Sequence, residues 1–311
     1  MQLSIKQNVP LTPYTALHIG GAAEYFIEVT TREMFLCAVA WAHEKHISLT
    51  CIGGGKNVLI ADTGVQGLVI HIAMRDIVLD GTNVQAEAGV VLGVLAQRTA
   101  QAGLAGLEWA CGVPGTVGGA IYGNAGAFGG EIRDTLVSVE VWDGIAVRTL
   151  TNANCTFGYR DSFFKTEQGR EKIIIRAKFV LRKEDAKTCL ARVKEYSQKK
   201  SSTQPLQNAS AGCTFKNVQF TEPDPLWRDK IPQRFLEKKV IPAGWLIDEV
   251  GLKGKKIGGI SISTQHGNFL VNDGTGTAEQ MIQLMSMAKM RVRDQFGIQL
   301  QEEIQLIGFE R

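Results

Sequence analysis

Residues 103–130 constrain the fold more than any other stretch, because ten of these 28 residues are glycine and only Glu108 is charged. A helix shows apolar residues about every 3.6 positions and a half-buried strand shows them at every second position. This stretch keeps neither period for long. Glycine tolerates left-handed backbone angles and lets the backbone approach a ligand closely, and successive N–H groups then form concavities that bind anions. The stretch predicts either an anion-binding loop or a glycine-rich surface loop.

Another glycine-rich segment, Gly53-Gly54-Gly55-Lys56-Asn57, lies earlier in the chain and follows the strand-like sequence ISLTCI. We call residues 53–57 the first glycine loop and residues 103–130 the second glycine-rich stretch. Two such loops in one chain favour one large phosphate-bearing ligand held from two sides. Neither loop has the G-x-G-x-x-G spacing at a strand-to-helix turn, so the Rossmann dinucleotide fingerprint is absent.

The composition describes a globular protein, with 44% hydrophobic and 21% charged residues and no apolar run of about 18 residues. The N-terminal sequence lacks the basic stretch and apolar core of a secretory signal. Six scattered cysteines form no C-x-x-C pair, which argues against a zinc site or a disulfide framework and favours reduced thiols in the cytoplasm. A net charge of +3 is too small for a nucleic-acid footprint. We therefore expect no metal, no nucleic acid and no membrane span.

The local patterns predict a mixed α and β chain. Thr30 with Glu33 resembles a capping box at the start of one helix, and Thr277 with Gln280 resembles another. The remaining predictions are helices at 91–102, 185–200 and from Thr277 to Phe296, a loop at 201–212, a last strand at 298–309, and a domain boundary near residue 184.

Several short motifs then occur in an order that resembles one known family, the flavin-dependent UDP-N-acetylenolpyruvoylglucosamine reductases of peptidoglycan synthesis. The matching pieces run from about residue 12 to 308, which is nearly the whole chain. They are Ile19-Gly20-Gly21, GGGKNVL at 53–59, GVPGTVGGA at 112–120, NAGA at 124–127, GYR at 158–160, SAGCTFKN at 210–217, GWLID at 244–248, HGNFLVN at 266–272, Glu303-Ile304 and Ile307-Gly308. Any single piece is weak, but the ordered set is specific.

The resemblance implies an α+β protein with a vanillyl-alcohol-oxidase-type FAD-binding domain at 1–184 and a smaller α/β substrate domain at 185–311. It implies that NADPH reduces bound FAD, which then reduces UDP-N-acetylglucosamine enolpyruvate to UDP-N-acetylmuramate. The chain looks like the short form of the family, without an extra tyrosine-bearing loop. We expect non-covalent FAD, because no histidine stands beside the first glycine loop. The resemblance further implies a cytoplasmic monomer that serves cell-wall synthesis, cell shape and division.

Three residues match the positions that carry the family's chemistry. Arg160 would hold the substrate carboxylate, which a planar guanidinium grips with two hydrogen bonds; its alternative is a solvated surface charge. Glu303 would hydrogen-bond the enolic intermediate; its alternative is a solvent-facing strand carboxylate. Cys213 stands where most members carry the proton-donating serine. A thiol is a stronger acid than an alcohol, but a lone cysteine is more often a small buried apolar residue.

The remaining site residues also follow from the resemblance. The expected cofactor-binding residues are Gly53, Gly54, Gly55, Lys56, Asn57, Val58, Gly112, Pro114, Gly115, Thr116, Gly118, Gly119, Asn124 and Ala125. The expected substrate-binding residues are Tyr159, Lys199, Lys200, Lys216, Asn217 and His266, with the lysines at 253–256 as further candidates for the substrate pyrophosphate. His266 serves equally well as a loop histidine without ligand contact.

Two other functions remain open at this point. A flavin oxidase of the same fold would consume oxygen without the enolpyruvyl substrate, but it would not explain the set of Arg160, Cys213 and Glu303. A non-catalytic nucleotide-binding protein would carry no flavin that NADPH bleaches.

Overall fold

The computed structural model describes residues 3–203 and 209–309, and for residues 201–203 it describes the backbone alone. The chain divides into two compact units. Unit 1 comprises Met1–Val9, Ala23–Gly54 and Gln66–Thr203, and unit 2 comprises Pro10–Ala22, Gly55–Val65 and Gln204–Arg311. Each unit is therefore assembled from three separate pieces of chain. The assignment of residues 1–184 to FAD and 185–311 to substrate stays a prediction.

The described residues contain seven α-helices and twenty-one strands. The helices are α1 (Arg32–Glu44), α2 (Leu92–Gln101), α3 (Val117–Tyr122), α4 (Ala186–Thr203), α5 (Gln233–Glu237), α6 (Ala243–Glu249) and α7 (Ala278–Phe296). The strands are β1 (Lys6–Pro10), β2 (Ala22–Val29), β3 (Leu49–Ile52), β4 (Val58–Ile60), β5 (Val65–Ile72), β6 (Ile77–Asp80), β7 (Asn83–Glu87), β8 (Leu104–Ala105), β9 (Gly126–Ala127), β10 (Gly130–Glu131), β11 (Leu136–Trp142), β12 (Val147–Thr151), β13 (Ile173–Val180), β14 (Arg182–Lys183), β15 (Ala209–Cys213), β16 (Val218–Gln219), β17 (Val240–Ile241), β18 (Lys256–Ile257), β19 (Ile260–Ile262), β20 (Phe269–Asn272) and β21 (Gln305–Ile307).

Unit 1 is built on two sheets. One has the strand order β1-β2-β5-β3, and the other has the order β12-β11-β13-β7-β6. β5 lies between two neighbours and is buried on both faces, which explains its nearly continuous apolar sequence, VQGLVIHI. α1 buries Phe35, Ala38, Val39 and Ala42, the face that its helical period predicts. These elements share one apolar core with α2 and α3.

Unit 2 is built on the antiparallel sheet β15-β20-β19-β18, with the long helix α7 packed against β18 and β19. The Thr277 hydroxyl accepts a hydrogen bond from the Gln280 backbone N–H, and the Gln280 side chain accepts from that of Thr277, so the predicted capping box is confirmed. The Asp62 carboxylate accepts from the N–H groups of Ala278 and Glu279 at 2.8 and 3.0 Å. An anionic side chain is favourable there because a helix N-terminus is electropositive.

Several local predictions were wrong in detail. The cap of α1 is Thr31, not Thr30: Thr31 has extended angles and accepts a hydrogen bond from the Met34 N–H. The predicted loop at 201–212 holds the last turn of α4 and most of β15, with residues 204–208 outside the described part. The predicted last strand at 298–309 is limited to β21. Before it, Glu302 forms a single bridge with Phe215, and the Glu303 N–H donates to the Thr214 carbonyl.

Candidate active site

The second glycine-rich stretch folds into a 3-10 helix, Glu108–Gly112, followed by the short helix α3. Thr116 caps α3, because its hydroxyl accepts a hydrogen bond from the Gly119 N–H at 3.4 Å. The N–H groups of Val117 and Gly118 donate to the carbonyls of Val90 and Ala88, both at 2.9 Å. The first three N–H groups of α3 are thus used within the protein, and an anion cannot rely on them.

The first glycine loop packs directly against this stretch. A Cβ at Gly53 would lie 2.5 Å from the Thr116 hydroxyl oxygen, and one at Gly54 would lie 3.4 Å from the Cα of Gly115. Among the residues that the structure describes, none accepts a hydrogen bond from the backbone N–H of Gly53, Gly54 or Lys56. These three N–H groups suit a phosphate, which accepts hydrogen bonds and can approach a backbone without side chains. The loop therefore fits the pyrophosphate of FAD.

Asn57 and Val58, both predicted to bind the cofactor, hold the segment around Glu303. The Asn57 amide donates to the Glu303 carbonyl at 3.0 Å, and the Gln305 N–H donates to the Asn57 carbonyl at 2.9 Å. Val58 opens β4, which pairs in parallel with β21 and faces Gln305 in the register. The Asn57 side chain is thus a backbone anchor, and its contact with FAD stays a prediction.

Cys213 ends β15, where it pairs with Phe269 of β20. The next residue joins two segments: the Thr214 N–H donates to the Asn268 carbonyl at 2.9 Å, and the Thr214 carbonyl accepts from the Glu303 N–H at 2.8 Å. Cys213 is partly exposed, in contrast to a cysteine that only fills a core. The structure therefore brings two predicted catalytic residues, Cys213 and Glu303, onto neighbouring backbone segments.

Asn268 is a residue of this site that the sequence reasoning missed. It is 1% exposed, and its amide both accepts from the Phe215 N–H at 2.9 Å and donates to the Phe215 carbonyl at 2.8 Å. It therefore fixes the backbone two residues after Cys213. The HGN motif at 266–268 was the available signal, but only the fold identifies the partner.

His266 acts as an acceptor within the same loop. Its Nδ1 accepts from the Asn268 N–H at 3.2 Å, and its ring lies edge-on to Phe269. Burial lowers the pKa of His266, and the charge of Lys253 lowers it further. The neutral imidazole suits this accepting role, and a contact of His266 with substrate stays a prediction.

Arg160 lies in unit 1 at the tip of a tight turn. The N–H and C=O groups of Gly158 and Asp161 bond to each other, and Arg160 takes a left-handed φ of 52° between them. The Arg160 guanidinium donates to the Gly126 carbonyl at 2.7 Å, and its Cζ lies 5.7 Å from the centre of the Tyr159 ring. The turn thus holds Arg160 against the second glycine-rich stretch.

The Asn124 side chain is hydrogen-bonded to this turn. It is fully buried, and its amide donates to the Gly158 carbonyl at 2.9 Å and to Glu131 at 2.8 Å. Its amide oxygen accepts from the Arg133 N–H at 3.2 Å. These hydrogen bonds stay within the protein, so the Asn124 side chain positions the Arg160 turn. Contacts of Asn124 and Ala125 with FAD stay predictions.

The lysines of the predicted substrate site differ in their surroundings. The Lys199 ammonium pairs with Glu195 at 2.6 Å, which raises its pKa. The Lys200 stem lies 3.1 Å from the position of a Cβ on Gly112. The Lys216 N–H donates to the Gln301 carbonyl, and the Asn217 amide oxygen caps α6 by accepting from the Ala243 N–H. Lys253 and Lys256 pair with Asp248 and Asp273, so their charges are already compensated.

Comparison with known proteins assigns the class and then the family. Residues 23–146 match a family described as an FAD binding domain, which makes the chain an FAD-binding protein of the oxidoreductase class and confirms the predicted fold. Residues 204–307 match the family described as UDP-N-acetylenolpyruvoylglucosamine reductase, C-terminal domain. The chain therefore belongs to the UDP-N-acetylenolpyruvoylglucosamine reductase family.

Individual relatives agree over nearly the full length. The UDP-N-acetylenolpyruvoylglucosamine reductase of Solibacter usitatus is 36% identical over 98% of this chain and 97% of its own. That of Rubrobacter xylanophilus is 36% identical over 97% of this chain and 95% of its own. The crystal structure of UDP-N-acetylenolpyruvylglucosamine reductase from Thermus caldophilus is 32% identical, covers 99% of both chains and has a TM-score of 0.76.

None of the helices in the described residues has the length and apolar character needed to cross a membrane.

Proposed function

We propose that the chain reduces UDP-N-acetylglucosamine enolpyruvate to UDP-N-acetylmuramate, with non-covalently bound FAD and with NADPH as the reductant. The observation that carries the proposal is the hydrogen bond between Thr214 and Glu303, which sets the Cys213 thiol and the Glu303 carboxylate on adjacent backbone segments of one unit. We further propose that it acts as a cytoplasmic monomer in peptidoglycan precursor synthesis, and so in cell shape and division.

Each residue has one task in this proposal. Bound FAD would supply the hydride chemistry between NADPH and the enolpyruvyl double bond. Arg160 binds the substrate carboxylate, where charge builds up in the transition state, so a fixed cation lowers the barrier. Glu303 hydrogen-bonds the enolic oxygen, and the Cys213 thiol gives its proton to the enol carbon. The N–H groups of the first glycine loop would hold the cofactor pyrophosphate.

Anaerobic absorbance measurements test the proposal in two half-reactions. NADPH should bleach the bound flavin, and the enolpyruvyl substrate should then restore its colour. Acid precipitation should leave all flavin in the supernatant. A protein that consumes oxygen steadily without the enolpyruvyl substrate would instead be a flavin oxidase, and a colourless protein would be neither.

Cys213→Ala should keep the NADPH half-reaction, which needs no proton at carbon, and should slow the substrate half-reaction. General acid catalysis contributes about 10²–10⁴-fold, which sets the expected loss. Cys213→Ser should recover most of it and should resist thiol reagents that inactivate the parent. An alanine variant with parental turnover would make Cys213 a packing residue.

Arg160→Met should also keep flavin reduction by NADPH and slow substrate reduction, by about 10²–10³-fold, because one charge-stabilising donor is lost. Its backbone φ of 52° is unfavourable for any residue but glycine, and methionine bears this strain to the same degree as arginine. Stopped-flow absorbance separates the two rates. Equal slowing of both half-reactions would mean that Arg160 only supports the fold.

A further inference from the structure

An ion pair between the half-buried Arg192 and the buried Glu108 joins α4 to the second glycine-rich stretch, outside all the predicted site residues. Arg192 of α4 contacts two carboxylates: its terminal nitrogen pairs with Glu184, and its Nε lies 3.5 Å from Oε1 of Glu108. The Nε and Oε1 atoms are both shielded from solvent, and Glu108 is only 6% exposed. Removing Arg192 is unfavourable, since the buried Glu108 carboxylate then loses its cation.

Glu108 links Arg192 to the predicted cofactor-binding residues. It is the first residue of the 3-10 helix Glu108–Gly112, which leads directly into the GVPGT segment. Its second carboxylate oxygen accepts from the Gly106 N–H at 2.7 Å. The carboxylate therefore fixes the start of the glycine segment to Arg192 on one side and to its own backbone on the other.

Other residues on the same face of α4 also contact the second glycine-rich stretch. The Cys111 thiol donates to the Val193 carbonyl at 3.3 Å and lies 3.4 Å from the Ser197 hydroxyl. The ring of Tyr196 stacks on Phe128, with centroids 4.7 Å apart and planes 7° apart. Arg192 and Tyr196 are four residues apart, as are Val193 and Ser197, so these positions share one helix face. Of the contacts named above, that of Arg192 with Glu108 is the charged one.

A metal site is a less favourable interpretation of the side chains around Arg192. Glu108, Glu184 and Cys189 have ligand atoms within 4.8 Å of one another. However, the guanidinium of Arg192 already occupies the position of a cation between the two carboxylates. Burial raises the pKa of the Cys189 thiol, and the nearby carboxylates raise it further. A metal would require the thiolate.

We propose that Arg192 is a positioning residue for FAD: by holding Glu108, it keeps residues 108–119 in the conformation that binds the cofactor. The proposal rests on the FAD cofactor of the proposed function and on the predicted contact of FAD with Gly112 to Gly119. On this proposal α4 affects FAD binding without contacting FAD. The affinity for FAD then depends on an ion pair outside the glycine motifs.

FAD titration of flavin-depleted protein, followed by flavin fluorescence, tests the proposal, with thermal unfolding of the same apoproteins alongside. Arg192→Met should raise the Kd for FAD by about tenfold or more, because Glu108 loses its partner. Adding Glu108→Gln to that variant should recover much of the affinity, since the buried charge is then gone as well. Lys194→Met is the matched control: it removes an exposed positive charge from the same helix and should leave the Kd within about twofold of the parent.

The results separate this proposal from the proposed function. If the parent protein binds no FAD, the proposed function fails. If the parent binds FAD and Arg192→Met lowers the unfolding temperature but leaves the Kd unchanged, the ion pair only stabilises the fold and the positioning role is wrong. Should Arg192→Met not fold, Arg192→Lys keeps the charge but loses the planar fork. It must then raise the Kd by a smaller factor, and an unchanged Kd would overturn the proposal.

Discussion

The two glycine-rich loops look alike in sequence but need their glycines for different reasons. In the first loop the glycines allow close packing: a Cβ on Gly55 would lie 1.9 Å from the Tyr14 carbonyl oxygen. In the second loop several glycines meet no such obstacle, and a Cβ on Gly119 would have only the Thr116 hydroxyl nearby, at 3.7 Å. A glycine that packing does not require is the better candidate for contact with a ligand. The comparison therefore separates the glycines that packing requires from those for which contact with FAD is the better prediction.

The largest expected effect comes from Gly55→Ala. Its φ of 61° is left-handed and its Cβ would overlap a backbone carbonyl, so the backbone must move. We expect a loss on the order of 4 kcal/mol or more of unfolding free energy, measured by denaturant titration. Gly129→Ala is the matched control: its φ of 86° is also left-handed but nothing lies within 4 Å, so it should cost only about 1–2 kcal/mol. Equal losses in both variants would refute the packing explanation.

Gly53→Ala should have an intermediate effect, because its Cβ would press on the hydroxyl that caps α3. Losing such a cap costs about 1 kcal/mol, and the Kd for FAD should rise as the two loops separate. In the double variant Gly53→Ala/Thr116→Ala the hydroxyl is absent, so the loss should be smaller than the sum of the single losses. Strictly additive losses would mean that the two loops do not act on each other.

The smallest change in stability is expected for Gly119→Ala. Alanine favours a helix by up to about 1 kcal/mol over glycine, and Gly119 is an exposed residue of α3. The apoprotein should therefore be as stable as the parent or slightly more so, while the affinity for FAD falls. Calorimetry of the apoprotein and an FAD titration measure the two quantities. An unchanged Kd would show that Gly119 does not face the cofactor.

Features set by neighbouring residues were the ones that the sequence predicted well. The capping box of α7 depends on two side chains three residues apart, and the buried face of α1 depends on its own period. The cap of α1 was misplaced by one residue because Thr30 and Thr31 offer the same hydroxyl, and only the backbone angles decide which of them caps.

The residues that position the candidate catalytic residues could not be predicted from local sequence patterns. The ordered motifs identified Arg160, Cys213 and Glu303, but not what holds them. Asn124 bonds to Gly158, 34 residues away, and Asn268 bonds to Phe215, 53 residues away. Such pairs depend on how the chain folds back on itself, and a single sequence contains no direct signal of that.

The pairing of β4 with β21 has a consequence for how the protein is made. Asn57 and the Glu303 carbonyl that it anchors are 246 residues apart in the chain. At ~5–20 residues per second, roughly 12–50 s pass on the ribosome between the synthesis of these two residues. During that interval β4 has no partner strand, and the half of the first glycine loop that begins at Gly55 belongs to a unit that is still incomplete. A nascent chain stalled before residue 305 should therefore expose β4 to chaperones. This holds even if the second glycine-rich stretch has already folded.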